Sequence, residues 1–77
     1  MKSFNEVVSE VFSVNQVDIK DEMTSQDIPG WDSMNYLMLI SSLESEFGIT
    51  FTMDQIVNAT TLGDLRKIVE HKDNNAS

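Results

Sequence analysis

The chain has 77 residues, no cysteine, one proline, and 13 acidic against five basic side chains, a formal net charge of −8. Such a length makes one small domain burying roughly 60% of its unfolded surface, and the lack of cysteine excludes disulfides, thiolate zinc sites and thiol nucleophiles. The charge argues against nucleic acid, which needs clustered Lys and Arg, and for partners with basic docking surfaces.

Ser3-Phe4-Asn5-Glu6 has the spacing of a capping box, and Phe4, Val7, Val8, Val11 and Phe12 follow at helical intervals, predicting a first helix over residues 4–14. From Asn15 to Trp31 the periodicity fails. That stretch is acidic (Asp18, Asp21, Glu22, Asp27, then Asp32, relieved only by Lys20) and closes on Pro29-Gly30. Val17, Ile19, Met23 and Ile28 give it apolar anchors, so it reads as a long ordered loop. Asp32 is the expected N-cap of a second helix running to Phe47, with Gly48 in the left-handed C-terminal position.

Ile49-Thr50-Phe51 is expected as an extended connector rather than a strand. Thr52-Met53-Asp54-Gln55 is a second capping box, opening a short helix through Asn58. Thr61-Leu62-Gly63-Asp64 leads a last helix with Leu62, Leu65, Ile68 and Val69 on its inner face. The polar end, His71 to Ser77, should fray, giving a domain over residues 1–71 and a disordered tail over 72–77. The expected fold class is all-α: a small four-helix bundle of three main helices and one short helix, with a long loop between helices one and two. No apolar run approaches the ~20 residues of a membrane span and no signal segment opens the chain, so stable membrane insertion is not expected and a cytoplasmic setting is.

At 100° per residue, Tyr36, Leu37, Leu39, Ile40, Leu43 and Phe47 share a sector about 160° wide, the expected core face of helix two. Met34 and Met38 fall opposite, beside Ser41 and Ser45, as a soft strip suited to partner contact. The core residues could part around an apolar cargo or form an ordinary dry core. Trp31 could touch a partner or pack the loop against helix two.

Ser33 opens helix two, where unpaired N–H groups and the helix dipole favour an attached anion. A hydrolase elbow is excluded, because Trp31 and Asn35 occupy the glycine positions of Gly-x-Ser-x-Gly. His71, the one histidine, stands in the expected tail, and the Asp18–Glu22 cluster lacks the ligand spacing and glycine of an EF-hand, so no metal site is expected.

Three stretches carry a family resemblance across nearly the whole domain. They are Gly30-Trp31-Asp32-Ser33-Met34, Leu43-Glu44-Ser45-Glu46-Phe47-Gly48-Ile49, and Thr60-Thr61-Leu62-Gly63-Asp64-Leu65. Together with the capped first helix and acidic loop, they make the chain similar to acyl carrier proteins. The resemblance implies a monomeric carrier with no catalysis of its own. Its Ser33 would receive 4'-phosphopantetheine from coenzyme A through a phosphopantetheinyl transferase and a divalent cation. It would then carry acyl thioesters between acyl-loading and acyl-transferring enzymes. With the helix facing above, partner recognition is expected at Asp32, Met34, Met38 and Glu44, unless Met34 tucks against the long loop, and an acyl pocket at Leu37, Leu39, Leu43, Phe47, Ala59 and Leu62. Asn35, Met38 and Ser45 stand where fatty-acid-synthesis carriers commonly have acids. Gly30-Trp31 resembles freestanding carriers of polyketide-type, aminoacyl and surface-polysaccharide systems, so a specialised pathway is expected. The alternative is an acidic interaction module whose Ser33 stays bare.

Overall fold

Helix starts in this chain are set by side-chain caps. The structure, a computed structural model, describes residues 2–75. Helix α1 (Phe4–Phe12) starts on the first capping box: the Glu6 N–H donates to Ser3 Oγ at 3.2 Å, and the Ser3 N–H donates to Glu6 Oε1 at 3.4 Å. It stops at Phe12 rather than 14, because Ser13 adopts left-handed backbone with φ 58°. The Ser9 hydroxyl, donating to the Val14 carbonyl at 2.6 Å, fastens that turn.

Between α1 and α2 (Ser33–Phe47) runs the expected ordered loop, containing a 3-10 turn over Gln16–Asp18. Ile19 and Ile28 are buried, and Met23 packs against the core. Val17 corrects its expected role as an anchor: it is 88% exposed, because none of the residues in the 3-10 turn is buried. The loop is pinned instead by its backbone. The carbonyls of Met23 and Asp21 accept from the N–H groups of Leu62 and Gly63, at 3.1 and 2.8 Å. Both donors open α4 (Leu62–Asn75) and would otherwise lack intrahelical partners.

Arg66 closes the same junction. It donates to Asp21 Oδ1 at 2.8 Å and to Asn5 Oδ1, and its guanidinium lies 4.6 Å from the centre of the Phe4 ring. One side chain therefore joins α1, the loop and α4.

The core is contiguous, with Val8, Leu39, Leu43, Leu62 and Leu65 fully buried at its centre. Each such leucine contributes about 1.5–3 kcal/mol through burial. Helix α1 packs on α2, and α2 on α4. The short α3 (Met53–Asn58) starts on the second capping box, Thr52 with Gln55. Gly48 ends α2 at φ 64°, and Phe51 closes the core from the extended connector. No strand occurs among the described residues.

Helix α4 runs through Asn75, past the expected end at 71. Lys72 donates to the Thr50 carbonyl and ties this turn to the connector. Ala76 and Ser77 lie outside the described residues.

Asp64 stabilises the start of α4. Its Oδ2 accepts from the N–H groups of Thr60 and Thr61 at 3.0 and 3.2 Å. These bonds hold the carboxyl below the usual carboxylate range. A folded-state pKa below the unfolded one gives stability that is present above about pH 4 and is lost as pH falls through the folded value. Asp64→Ala should therefore lower the thermal midpoint at pH 7, and the gap from wild type should narrow steadily below pH 4, as midpoints measured across the pH range would show.

Candidate functional site

The start of α2 is fixed from both sides of Ser33. Asp32, with extended backbone, caps the helix: its Oδ1 accepts from the Asn35 N–H at 2.8 Å, and its carbonyl accepts from the Tyr36 N–H at 2.8 Å. Upstream, Gly30 lies so close to α1 that a Cβ there would stand 2.8 Å from the Phe12 carbonyl oxygen. The Gly30 carbonyl in turn accepts from the Asp32 N–H at 3.1 Å and from Asn35 Nδ2 at 2.8 Å. Ser33, first residue of α2, is exposed between these anchors.

Trp31 packs rather than projecting. Its ring stacks on Phe12 with centroids 5.3 Å apart and on Tyr36 at 5.8 Å, so the loop docks on both α1 and α2 through one indole. The Tyr36 hydroxyl donates to the Ile56 carbonyl at 2.6 Å, fastening α3 to α2. Burial, and then the charge of Asp64, push the Tyr36 phenol up, which keeps it a neutral donor at physiological pH.

These rings floor a surface groove. A cleft of about 360 Å³ is bounded by Ser25, Trp31, Asp32, Ser33 and Tyr36. Ser25, Trp31 and Tyr36 also border a second cleft of about 550 Å³, which reaches Ile56, Ala59 and Thr60. The two clefts share these three residues as walls and so adjoin, the second lying on the side of α3. Thr24, Ser25, Gln26 and Thr60 supply polar edges along it.

Of the residues expected to hold an apolar cargo, Leu39, Leu43 and Leu62 are fully buried in the core, with Phe47 and Ala59 packed against it. Leu37 is a correction: it is 59% exposed. The buried residues of α2, Leu39, Ile40 and Leu43, span a face only about 100° wide, and Leu37 falls beyond its edge. It joins Met34, 74% exposed, and Met38, 53% exposed, at the i, i+3, i+4 spacing of one surface strip. Glu44, expected on the partner surface, is half-buried, and its Oε2 accepts from the Phe51 N–H at 2.8 Å. Its carboxylate holds the connector in place.

Asn35 and Ser25 escaped sequence reasoning as parts of the site. Ser25 is one polar loop residue among several by type, and only folding brings it beside Ser33. Asn35 stood in the sequence as a departure from an acidic pattern, and its amide donor chemistry was the available signal.

Three properties coincide here: an exposed hydroxyl, a hydrogen-bonded turn behind it, and a cleft beside it. The family model for the phosphopantetheine attachment site matches residues 4–69. The chain is 31% identical over 65 residues to an acyl carrier protein of Wolinella succinogenes, covering 84% of this chain and 86% of that one. It is also similar to the solved structure of a candidate acyl carrier protein from Mycobacterium tuberculosis. That match has a TM-score of 0.79 at 26% identity and covers 88% of this chain and 90% of the other.

The Gly30 contact generates a direct expectation. Backbone on both sides leaves no flexible side chain to yield, so Gly30→Ala should destabilise the fold by about 1–3 kcal/mol. A urea titration followed by circular dichroism measures this, and a midpoint equal to that of wild type would mean the loop shifts away from α1 at no cost.

Proposed function

The chain belongs to the phosphopantetheine attachment site family, and from that premise we propose that Ser33 is the residue that bears its 4'-phosphopantetheine. The protein is an acyl carrier and not a catalyst. One observation carries the assignment to Ser33: it is an exposed hydroxyl on the first residue of α2, at the mouth of the groove floored by Trp31 and Tyr36.

The residues around Ser33 fit the group. The phosphodiester would lie where the first amides and the dipole of α2 favour negative charge. The groove's polar edges suit amides, and Ile56 and Ala59 suit an apolar continuation. The group supplies a terminal thiol on which acyl chains travel as thioesters. The protein contributes the rest: Asp32 holds the helix start, Trp31 fixes the loop, and Tyr36 keeps α3 in place beside the groove. Ala59 marks where an acyl chain would meet the core formed by Leu39, Leu43 and Leu62, with Phe47 at its margin.

Transferases and biosynthetic enzymes are the partners that the family implies. Within that class, the surface of α2 favours a specialised pathway over bulk fatty acid synthesis. Met34, Leu37 and Met38 offer a thioether and aliphatic strip beside Ser33, and Asn35 is turned inward to Gly30. Partners of this carrier would therefore read packing close to the serine and charge at longer range, from Asp32 and the rest of an acidic surface. Self-repulsion at a charge of −8 supports a monomer. No helix of the described residues is long and apolar enough to cross a membrane. A cytoplasmic setting, where transferases and coenzyme A would meet the carrier, is part of the same proposal.

Two outcomes test this reading. Incubated with a promiscuous phosphopantetheinyl transferase, coenzyme A and magnesium, wild type should gain one arm by intact mass. Ser33→Ala should fold with nearly unchanged stability and gain none. An unmodified wild type would instead favour a bare interaction module.

Met38→Glu tests the strip. At this exposed position the change should alter stability by no more than about 0.5 kcal/mol. It should slow transfer to the carrier's own acyl-handling enzyme and speed transfer to fatty-acid-synthesis enzymes, so both rates must be compared. A loss of several kcal/mol would place Met38 in the core.

A further inference from the structure

We infer that Asn35 is a positioning residue for the modification of Ser33: by donating to the Gly30 carbonyl, it holds the Gly30–Asp32 turn in the shape that presents the serine hydroxyl. This rests on the reading of Ser33 as the attachment residue.

The start of α2 is built differently from the other helix starts. In α1 and α3 the third helical residue, Glu6 or Gln55, uses its side chain as an acceptor for the N–H of the capping residue. Asp64 does the same for Thr61 at the start of α4. In α2 the third residue is Asn35, and its side chain acts as a donor. Nδ2 reaches past the cap to the Gly30 carbonyl at 2.8 Å, while the cap's own N–H, that of Asp32, bonds to the same oxygen at 3.1 Å. The Asn35 N–H completes the ring of contacts by donating to Asp32 Oδ1 at 2.8 Å. Asn35 thus grips the chain on the upstream side of Ser33 through two bonds, one to each end of the turn.

Chemistry fixes the residue type. A carbonyl oxygen can only accept, so its partner must be an N–H or O–H donor. Aspartate has the shape of asparagine but would set a carboxylate against that oxygen and near the Asp32 carboxylate. Alanine would leave the turn with only the Asp32 N–H. Trp31, clamped between Phe12 and Tyr36, holds the outer side of the turn but does not touch this acceptor bond.

The turn matters because loading is a reaction of Ser33 Oγ. Its proton leaves, an Oγ–P bond forms, and the pyrophosphate bridge of coenzyme A breaks with release of the nucleoside bisphosphate. Displacing the attacking oxygen within a transferase site by a fraction of an ångström lowers the rate without weakening the encounter.

The full chain, wild type or carrying Asn35→Ala, Asn35→Asp or Asn35→Gln, is loaded by a promiscuous transferase with coenzyme A and magnesium over a range of carrier concentrations. Intact mass gives the rates. Acrylamide quenching of Trp31, the chain's one tryptophan, gives the order of the turn. Thermal midpoints confirm that each variant is folded. For Asn35→Ala and Asn35→Asp, kcat should fall on the order of tenfold with KM for the carrier within about twofold, and quenching of Trp31 should rise. Asn35→Gln keeps the donor and should recover most of the rate, and it remains the decisive variant if the other two do not fold. Loading of Asn35→Asp at the wild-type rate would overturn the inference, as would a raised KM with unchanged quenching, the mark of direct contact with the transferase. A wild type that never gains the arm would overturn the reading of Ser33 and the inference with it. A loaded wild type matched by every variant would overturn the inference alone.

Discussion

The close approach of Gly30 to the end of α1 sets the geometry on which the start of α2 depends. With no side chain at Gly30, the loop backbone lies against the Phe12 carbonyl, and Trp31 drops onto the Phe12 ring. The next residues have little freedom left. Asp32 must cap, Ser33 must face out, and Asn35 falls within reach of the Gly30 carbonyl. A side chain at position 30 would push the loop from α1 and carry the serine with it.

The acidic loop divides its charges between two tasks. Asp21 pairs with Arg66, Asp27 accepts from the Thr24 N–H at 2.9 Å, and Asp32 caps α2, so these three hold the loop in shape. Each works locally, through a bond to a named donor. The summed field of the chain works at a distance and draws in basic partners regardless of which acids are internally bonded. The single arginine is the hinge of this arrangement. Placed half-buried on α4, it neutralises one loop acid and covers Phe4 at the same time.

What the sequence made legible were the features with short-range causes. The capping boxes at Ser3 and Thr52, the cap at Asp32, the left-handed Gly48 and the inner face of α4 all stand where spacing places them. The features that were not legible depend on neighbours distant in the chain. Leu37 is 59% exposed at the margin of α2's buried face, and helical angle alone cannot tell the edge of a face from its centre. Glu44 turns to the Phe51 N–H, and Lys72 to the Thr50 carbonyl, through contacts that exist only once the connector is folded. The position of Ser33 at a helix start was legible; the Asn35 bond and the cleft beside the serine were not.

Helix α3 differs from its neighbours in that none of its residues is fully buried. The free energy of local opening follows buried apolar contact, so the four helices do not share one level of protection. Those joined by Arg66 and the central leucines should be the most protected. Helix α3, held by its own caps, by Ile56 at the core's edge and by the Tyr36 bond, forms the least cooperative unit of the fold. By that rule its amides should exchange through a local fluctuation, and the wall that it gives the groove should be the part of this protein able to yield while the Ser33 turn stays intact.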